Sequence, residues 1–240
     1  MKSFIDFHTH ILPGIDDGSN SVEESLAMIR AEIAHGVDTV FLTPHFYAQN
    51  QYPQQFLDLR LRSMEQLQSA IMDEEVIPDF VLGSEVMYYH GMSSWEALPQ
   101  LALGNTRYIL VELPGNGLSE SVFDELESIY TDRGMIPIIA HIERYFQPLT
   151  TRKLLERLDK LPVLLQMNGN YILDRHTRKH ALNLLKQGRV HLIGSDCHGL
   201  HWRKPCLDQV IKVINDQLDD STIQNLFLIG NKVLRGELLM

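Results

Sequence analysis

The segment Phe4-Ile5-Asp6-Phe7-His8-Thr9-His10 passes directly from a short apolar run into side chains that can bind metal ions. A short apolar run of this kind is typical of a buried β-strand. Similar runs recur along the chain and alternate with amphipathic stretches of helical periodicity. Strands that alternate with helices predict right-handed βαβ units, a parallel sheet and therefore an α/β fold.

Seven apolar runs predict seven strands. They span Phe4 to His8, Val37 to Leu42, Phe80 to Leu82, Tyr108 to Leu113, Ile136 to Ala140, Val163 to Met167 and Val190 to Gly194. Ser21 and Glu24 form a capping-box pattern that begins the first helix, and Gly36 ends it. Seven strand–helix units in 240 residues favour one closed, irregular barrel domain over residues 1–240. An open doubly wound sheet is the alternative.

The composition is that of an ordinary globular protein, with 44% apolar and 22% charged residues. The net charge of −10 and the lack of a basic run argue against a nucleic-acid partner. No apolar stretch approaches the roughly 18 residues of a membrane span, and no secretion signal is evident. The two cysteines are too few for a disulfide framework. We therefore expect a cytoplasmic protein without direct membrane insertion.

Side chains that bind metal ions fall at the ends of six of the seven predicted strands. In chain order they are His8 and His10, His45, Glu85, Glu112, His141, and the pair Asp196 and His198. One such histidine alone would more often be structural, but the carboxyl ends of barrel strands converge on one face, where active sites lie. Imidazole and carboxylate groups without a thiolate pair suit Mn, Fe, Zn or Mg. The pattern predicts a cluster of divalent metal ions.

These motifs resemble those of the polymerase-and-histidinol-phosphatase (PHP) family, and within it the bacterial tyrosine-protein phosphatases of capsule and exopolysaccharide operons. The resemblance runs from Asp6 to Arg203. It rests on Asp6–Gly18, Thr43-Pro44-His45, Gly83-Ser84-Glu85-Val86, His141–Tyr145 and Ser195-Asp196-Cys197-His198. It implies a distorted (β/α)7 TIM-like barrel with three divalent metals, most often manganese. The implied ligands are His8, His10, Asp17, His45, Glu85, Glu112, His141, Asp196 and His198, with Asp17 preferred over Asp16.

The same resemblance implies that Arg144 and Arg203 hold the phosphate and that His45 and His198 also serve in catalysis. A metal-bridging water has a lowered pKa, so it can attack phosphorus in line as hydroxide. A phenolate leaves with a pKa of about 10, which favours aryl phosphates where no strong general acid is present. The expected substrate is phosphotyrosine on a protein, namely a bacterial tyrosine kinase of polysaccharide synthesis.

Other functions remain open at this point. Cys197 and Arg203 match the Cys-x5-Arg string of thiol-based tyrosine phosphatases, but the intervening residues are bulky, so Cys197 is interpreted as a buried filler. A small-molecule phosphatase or phosphodiesterase of the histidinol-phosphate type is one alternative. A metal-dependent amidohydrolase is less favoured, because Glu112 stands where that superfamily often has a lysine. A metal-binding regulatory domain without turnover is the non-enzyme alternative.

Overall fold

The computed structural model of this protein describes residues 4–72, 74–115 and 117–239. Within these ranges nine strands alternate with eight α-helices. The strands are β1 (Phe4–Thr9), β2 (Val37–Leu42), β3 (His45–Phe46), β4 (Asp79–Leu82), β5 (Glu85–Met87), β6 (Tyr108–Glu112), β7 (Ile136–Ile139), β8 (Leu164–Asn168) and β9 (Leu192–Gly194). The helices are α1 (Val22–Ala34), α2 (Pro53–Ile71), α3 (Glu120–Arg133), α4 (Thr151–Leu158), α5 (Gly169–Leu173), α6 (Arg178–Lys186), α7 (Leu207–Gln217) and α8 (Asp220–Leu234).

The paired strands are parallel, and the short strands β3 and β5 follow β2 and β4 in addition to the seven predicted strands. β1, β2 and β4 form one sheet, and β3, β5, β6, β7, β8 and β9 form the other. Thr43-Pro44 separates β2 from β3, and Gly83-Ser84 separates β4 from β5. A Cβ atom on Gly83 would lie 2.5 Å from Leu103 Cδ2, so a larger residue at the second break would displace the Leu103 side chain. The breaks distort the barrel at the strands that carry His45 and Glu85.

Hydrogen bonds join the first strand to the segment that follows the last one. The Asp196 amide donates to the His8 carbonyl at 2.8 Å, and the His10 amide donates to the Cys197 carbonyl at 3.0 Å. On the opposite side of the barrel the loop residues Leu103 and Gly104 lie between β4 and β6. The distorted TIM-like barrel is therefore confirmed, and an open doubly wound sheet does not fit these contacts.

The floor of the barrel is apolar because strand residues alternate between its inside and its outside. In β6, Tyr108 and Leu110 are buried in the interior below Glu112. α8 lies against this floor, where a Cβ atom on Gly230 would come within 3.1 Å of the Phe7 ring. Among the described residues, no helix has both the length and the apolar character needed to cross a bilayer.

The first helix differs in one detail from the predicted capping box. The Ser21 hydroxyl accepts from the Glu24 amide at 3.3 Å, as predicted. The Glu24 carboxylate, however, accepts from the Asn20 amide at 2.9 Å and not from that of Ser21. The side chain is long enough to reach one residue further back, so the reciprocal half of the prediction was wrong. Gly36 follows the end of the helix with φ of 80°, as predicted.

Candidate metal centre

Glu85, at the start of β5, lies at the centre of a buried cluster of histidines. Its Oε2 atom is 3.1 Å from His8 Nε2, 3.3 Å from His10 Nε2 and 3.0 Å from His45 Nδ1. Its Oε1 atom is 2.7 Å from His141 Nε2. These four histidines come from segments separated by more than 130 positions in the sequence. The ends of the parallel strands bring them together on one face of the barrel.

Two further carboxylates border this cluster. Asp196 follows β9, and its Oδ1 atom is 3.4 Å from His10 Nε2 and 3.7 Å from His8 Nε2. Glu112 ends β6, and its Oε1 atom is 3.4 Å from His141 Nε2. All of these contacts join residues that the sequence proposed as ligands.

Asp16 contacts the ring nitrogen of His10 that faces away from Glu85. Its Oδ2 atom is 2.7 Å from His10 Nδ1 and accepts from the His45 amide at 2.9 Å, while its Oδ1 atom accepts from the Gly18 amide at 3.0 Å. Burial alone would raise the pKa of Asp16, but these bonds lower it below its usual range. The carboxylate therefore fixes the orientation of His10 and leaves His10 Nε2 facing the cluster.

Asp17 faces the cluster directly. Its Oδ1 atom is 3.4 Å from His45 Nε2 and 3.3 Å from His198 Nε2. The two adjacent aspartates thus have different surroundings: Asp16 accepts from two backbone amides, whereas Asp17 Oδ1 lies beside two imidazole groups of the cluster. All nine proposed ligands are close to at least one other member of the set.

Three sets of these side chains have the spacing required to hold a metal ion. Within each set the ligand atoms lie within 4.8 Å of one another; the sets are His10, Asp17, His45 and His198; His8, His10 and Glu85; and His45, Glu85 and Glu112. In the described part of the chain, the buried His45 Nδ1 and His198 Nε2 atoms make no hydrogen bond, although carboxylate oxygens lie 3.0 and 3.3 Å away. Buried polar atoms without a hydrogen bond are costly, and a metal ion between each imidazole and its carboxylate would satisfy them. The residues present therefore fit divalent metal ions.

The carboxylates make the electrostatic potential inside the cluster negative. Burial would lower the pKa of His10, but its contacts with Asp16, Asp196 and Glu85 raise that pKa well above the usual value. Several carboxylates in so small a volume repel each other unless cations compensate them. The same field that favours a protonated histidine would attract a divalent cation.

Two residues of β8 support the cluster, although the sequence analysis did not select them. Gln166 Oε1 accepts from the His141 amide at 2.7 Å and lies 3.2 Å from His8 Nδ1. Gln166 donates to Asn168 at 2.9 Å, and Asn168 in turn donates to Asp196 Oδ2 at 2.8 Å. Their signal in the sequence is two amides at alternate positions of an otherwise apolar strand. With them, the sixth predicted strand, which supplied no predicted ligand, also contributes to the site.

The backbone around the site adopts conformations that ordinary residues rarely show. His141, Asp196 and Arg203 have φ values of 33°, 53° and 46°. Left-handed conformations of non-glycine residues cost on the order of 1–3 kcal/mol and are concentrated at functional sites. Gly194, at the end of β9, approaches β1 so closely that a Cβ atom there would lie 2.6 Å from His8 Cβ.

Arg144 and Arg203 lie at the solvent-accessible rim of the cluster. Arg144 is 3.2 Å from Glu112 Oε1 and 2.7 Å from Asp196 Oδ2. Arg203 is 3.3 Å from Asp196 Oδ2 and 3.5 Å from Asp17 Oδ2. Their side chains are 40% and 24% exposed, so both guanidinium groups can be reached from solvent. Two arginines beside this cluster of metal-binding side chains form a suitable site for a phosphate dianion.

Cys197 has the opposite environment to a nucleophilic thiolate. It is fully buried, and its Sγ atom lies 3.8 Å from Glu32 Oε1. Burial raises the pKa of the thiol well above its usual value, and the neighbouring Glu32 raises it further. Cys197 is thus a buried filler, as predicted.

Comparisons with known proteins agree with this architecture. A family profile described as capsular polysaccharide synthesis, CpsB/CapC, matches residues 4–235. The tyrosine-protein phosphatase YwqE of Bacillus subtilis is 28% identical over 220 residues, which cover 89% of this chain and 84% of YwqE. The tyrosine-protein phosphatase CpsB of Streptococcus agalactiae serotype III is 27% identical over 233 residues, which cover 93% and 95% of the two chains.

A solved structure has the same fold. The match is to one of the crystal structures of YwqE from Bacillus subtilis and CpsB from Streptococcus pneumoniae, which are described as unique metal-dependent tyrosine phosphatases. The TM-score is 0.85 at 24% identity, and the match covers 99% of this chain and 96% of the other. Because the family profile spans nearly the whole chain, and as the resemblance of its motifs predicts, this protein belongs to the CpsB/CapC family of capsular polysaccharide synthesis.

Proposed function

We propose that this protein is a metal-dependent protein-tyrosine phosphatase. The observation that carries the proposal is the buried cluster of imidazole and carboxylate groups around Glu85, bordered by the partly exposed Arg144 and Arg203. A metal site beside two arginine guanidinium groups fits phosphoryl transfer, which depends mainly on positioning and on charge stabilisation. The names of its relatives YwqE and CpsB, both tyrosine-protein phosphatases, support the same reaction.

The nine side chains proposed as ligands would hold three divalent ions. We expect manganese, with Fe, Zn or Mg as alternatives, because the ligands combine imidazole with carboxylate and include no thiolate. Bound metals would supply Lewis-acid stabilisation of the phosphoryl group and would lower the pKa of water to make a nucleophile.

The remaining chemistry falls to the residues of the chain. Arg144 and Arg203 would bind the equatorial phosphoryl oxygens through their planar forks. Asp16 holds the His10 ring in place, and Gln166 of β8 contacts the His8 ring. We assign His45 and His198 a catalytic role beside their ligand role, because both face the open side of the cluster near Asp17. A phenolate leaving group requires little protonation at neutral pH, which favours phosphotyrosine over phosphoserine.

The proposed substrate is a phosphotyrosine protein in the cytoplasm, namely a bacterial tyrosine kinase of polysaccharide synthesis. The family description as capsular polysaccharide synthesis supports this pathway. The alternatives are a small-molecule phosphatase of the histidinol-phosphate type and a metal-binding domain without turnover.

A substrate panel tests the proposal. Purified protein is assayed with added manganese on p-nitrophenyl phosphate, a phosphotyrosine peptide, a phosphoserine peptide, histidinol phosphate and a phosphodiester. We expect hydrolysis of the two aryl phosphates, loss of activity on chelation and recovery with manganese. His8→Ala and Asp196→Ala should be inactive, whereas exposed His176→Ala, the matched control, should retain activity. A preference for histidinol phosphate, or full activity in protein shown to be metal-free by elemental analysis, would contradict the proposal.

A further inference from the structure

A groove of about 490 Å³ begins beside the metal cluster. One wall is formed by residues 114–115 and 117–118, which follow β6, and the other is α4 with the segment that precedes it. Arg144 lines this groove and also contacts Glu112 and Asp196 of the cluster. The groove therefore leads away from the place where the phosphoryl group would bind.

The floor of the groove is apolar. Phe123 of α3 and Leu154 of α4 line it with only 5% and 8% of their surface exposed. Leu118 and Tyr145, both partly buried, extend the apolar surface toward the cluster. An apolar floor of this kind suits a segment of polypeptide or an aromatic ring better than a small dianion.

The rim of the groove is cationic, although the chain as a whole carries a net charge of −10. Arg144, Lys153 and Arg157 line it together with one acidic residue, Glu120. Arg157 is already paired with Glu120 at 3.2 Å. Lys153 is exposed, and the described part of the chain gives it no carboxylate partner. Its ammonium group is thus available to a ligand.

The position of Lys153 in its helix adds to this positive charge. Lys153 is the third residue of α4, whose first turn contains no acidic residue. The free amide groups of a first turn carry partial positive charge, so a basic residue there is locally unfavourable. Neighbouring Arg152 is compensated by Glu156 at 2.7 Å, whereas Lys153 has no such partner. A carboxylate bound beside Lys153 would gain from both the ammonium group and the helix terminus.

We propose that this groove binds the polypeptide next to the phosphotyrosine and that Lys153 selects substrates with an aspartate or glutamate there. The inference rests on the proposed function and specifies its substrate class. Arg144 would hold the phosphoryl group at the head of the groove, and the flanking residues would lie over Phe123 and Leu154. A small aryl phosphate has no flanking residues, so its hydrolysis should not depend on Lys153.

The test compares Lys153→Ala and Lys153→Glu with the unaltered protein. The substrates are p-nitrophenyl phosphate and two phosphotyrosine peptides that differ only in having acidic or alanine residues beside the phosphotyrosine. Lys153→Ala should lower kcat/KM for the acidic peptide about 2- to 5-fold, the range of an exposed ion pair. Lys153→Glu should lower it about 10-fold, because repulsion replaces attraction. Both variants should hydrolyse p-nitrophenyl phosphate at the normal rate.

Lys212→Glu, at an exposed position of α7, is the matched control for the change in net charge. It should leave the preference for the acidic peptide intact, and added salt should reduce that preference in the unaltered protein. Equal values of kcat/KM for the two peptides, or an equal loss in Lys153→Glu and Lys212→Glu, would overturn the proposal.

Binding of peptides that carry a non-hydrolysable phosphonate separates this inference from the proposed function. Fluorescence anisotropy should show tighter binding of the acidic peptide and a weaker affinity in Lys153→Glu. That result without hydrolysis of any aryl phosphate would retain the groove and reject the phosphatase. Hydrolysis without a difference in binding would reject the groove alone.

Discussion

Replacing Asp16 distinguishes a residue that positions a ligand from a ligand itself. Asp16→Ala removes the acceptor of His10 Nδ1 at 2.7 Å, of the His45 amide at 2.9 Å and of the Gly18 amide at 3.0 Å. Loss of a residue that orients a metal-binding histidine typically costs about 10- to 100-fold in metal affinity or activity. We expect a loss in that range, measured as manganese affinity by competition with a chelator and as kcat/KM on an aryl phosphate.

Asparagine substitutions make the comparison quantitative. In Asp16→Asn the amide oxygen can still accept from His10 and from the His45 amide, so only the bond from Gly18 is lost. Asp17→Asn instead removes an anionic oxygen that lies 3.4 Å from His45 Nε2 and 3.3 Å from His198 Nε2. We expect Asp17→Asn to weaken metal binding more than Asp16→Asn does. The reverse order would show that Asp16 is the ligand and would refute this reasoning.

Three further predictions concern charge, thiol and packing. Arg144→Ala should lower kcat/KM by about 10²-fold and leave the metal content unchanged. Arg144→Lys should recover only part of the lost kcat/KM, because an ammonium group cannot form the bidentate contact of a guanidinium group. Unchanged kinetics in Arg144→Ala would remove Arg144 from the site. Cys197→Ser should retain most activity, and a trapped cysteinyl phosphate would contradict this. Gly194→Ala should lower the melting temperature and metal content together, because its Cβ would lie 2.6 Å from His8 Cβ; a normal melting curve would count against that contact.

The sequence predicts the strands, and the convergence of the proposed ligands on one face, because both depend on local features. Apolar runs identify β6 and β7, and the polar residue at or just beyond the end of each strand identifies Glu112 and His141. The roles of Gln166 and Asn168 depend on which strand lies beside β8, and no local pattern reports that pairing. Either amide alone would pass for a solvent-facing residue of an edge strand.

The missed elements have a similar explanation. The short strands β3 and β5, which the sequence did not predict, begin after the break at Thr43-Pro44 and after Gly83, whose close approach to Leu103 appears only once the barrel is formed. α4 has eight residues and α8 follows α7 after a two-residue connection, so periodicity alone separates neither clearly from its surroundings. Their positions depend on packing against the sheet more than on their own sequence.

The proposed catalytic groups lie mainly at strand ends, whereas the groove lies in a loop and a helix. Substrate preference can therefore change while the chemistry stays the same. Most side chains of the cluster lie at or next to strand ends, where backbone ladders and contacts such as Gln166 to His8 hold them. The groove is formed by the loop after β6 and by α4, which can change in sequence or length without moving those strands. Arg144 belongs to both regions, so its substitution would alter chemistry and recognition together. Lys153 touches only the groove, and variants at that position can therefore measure recognition separately from catalysis.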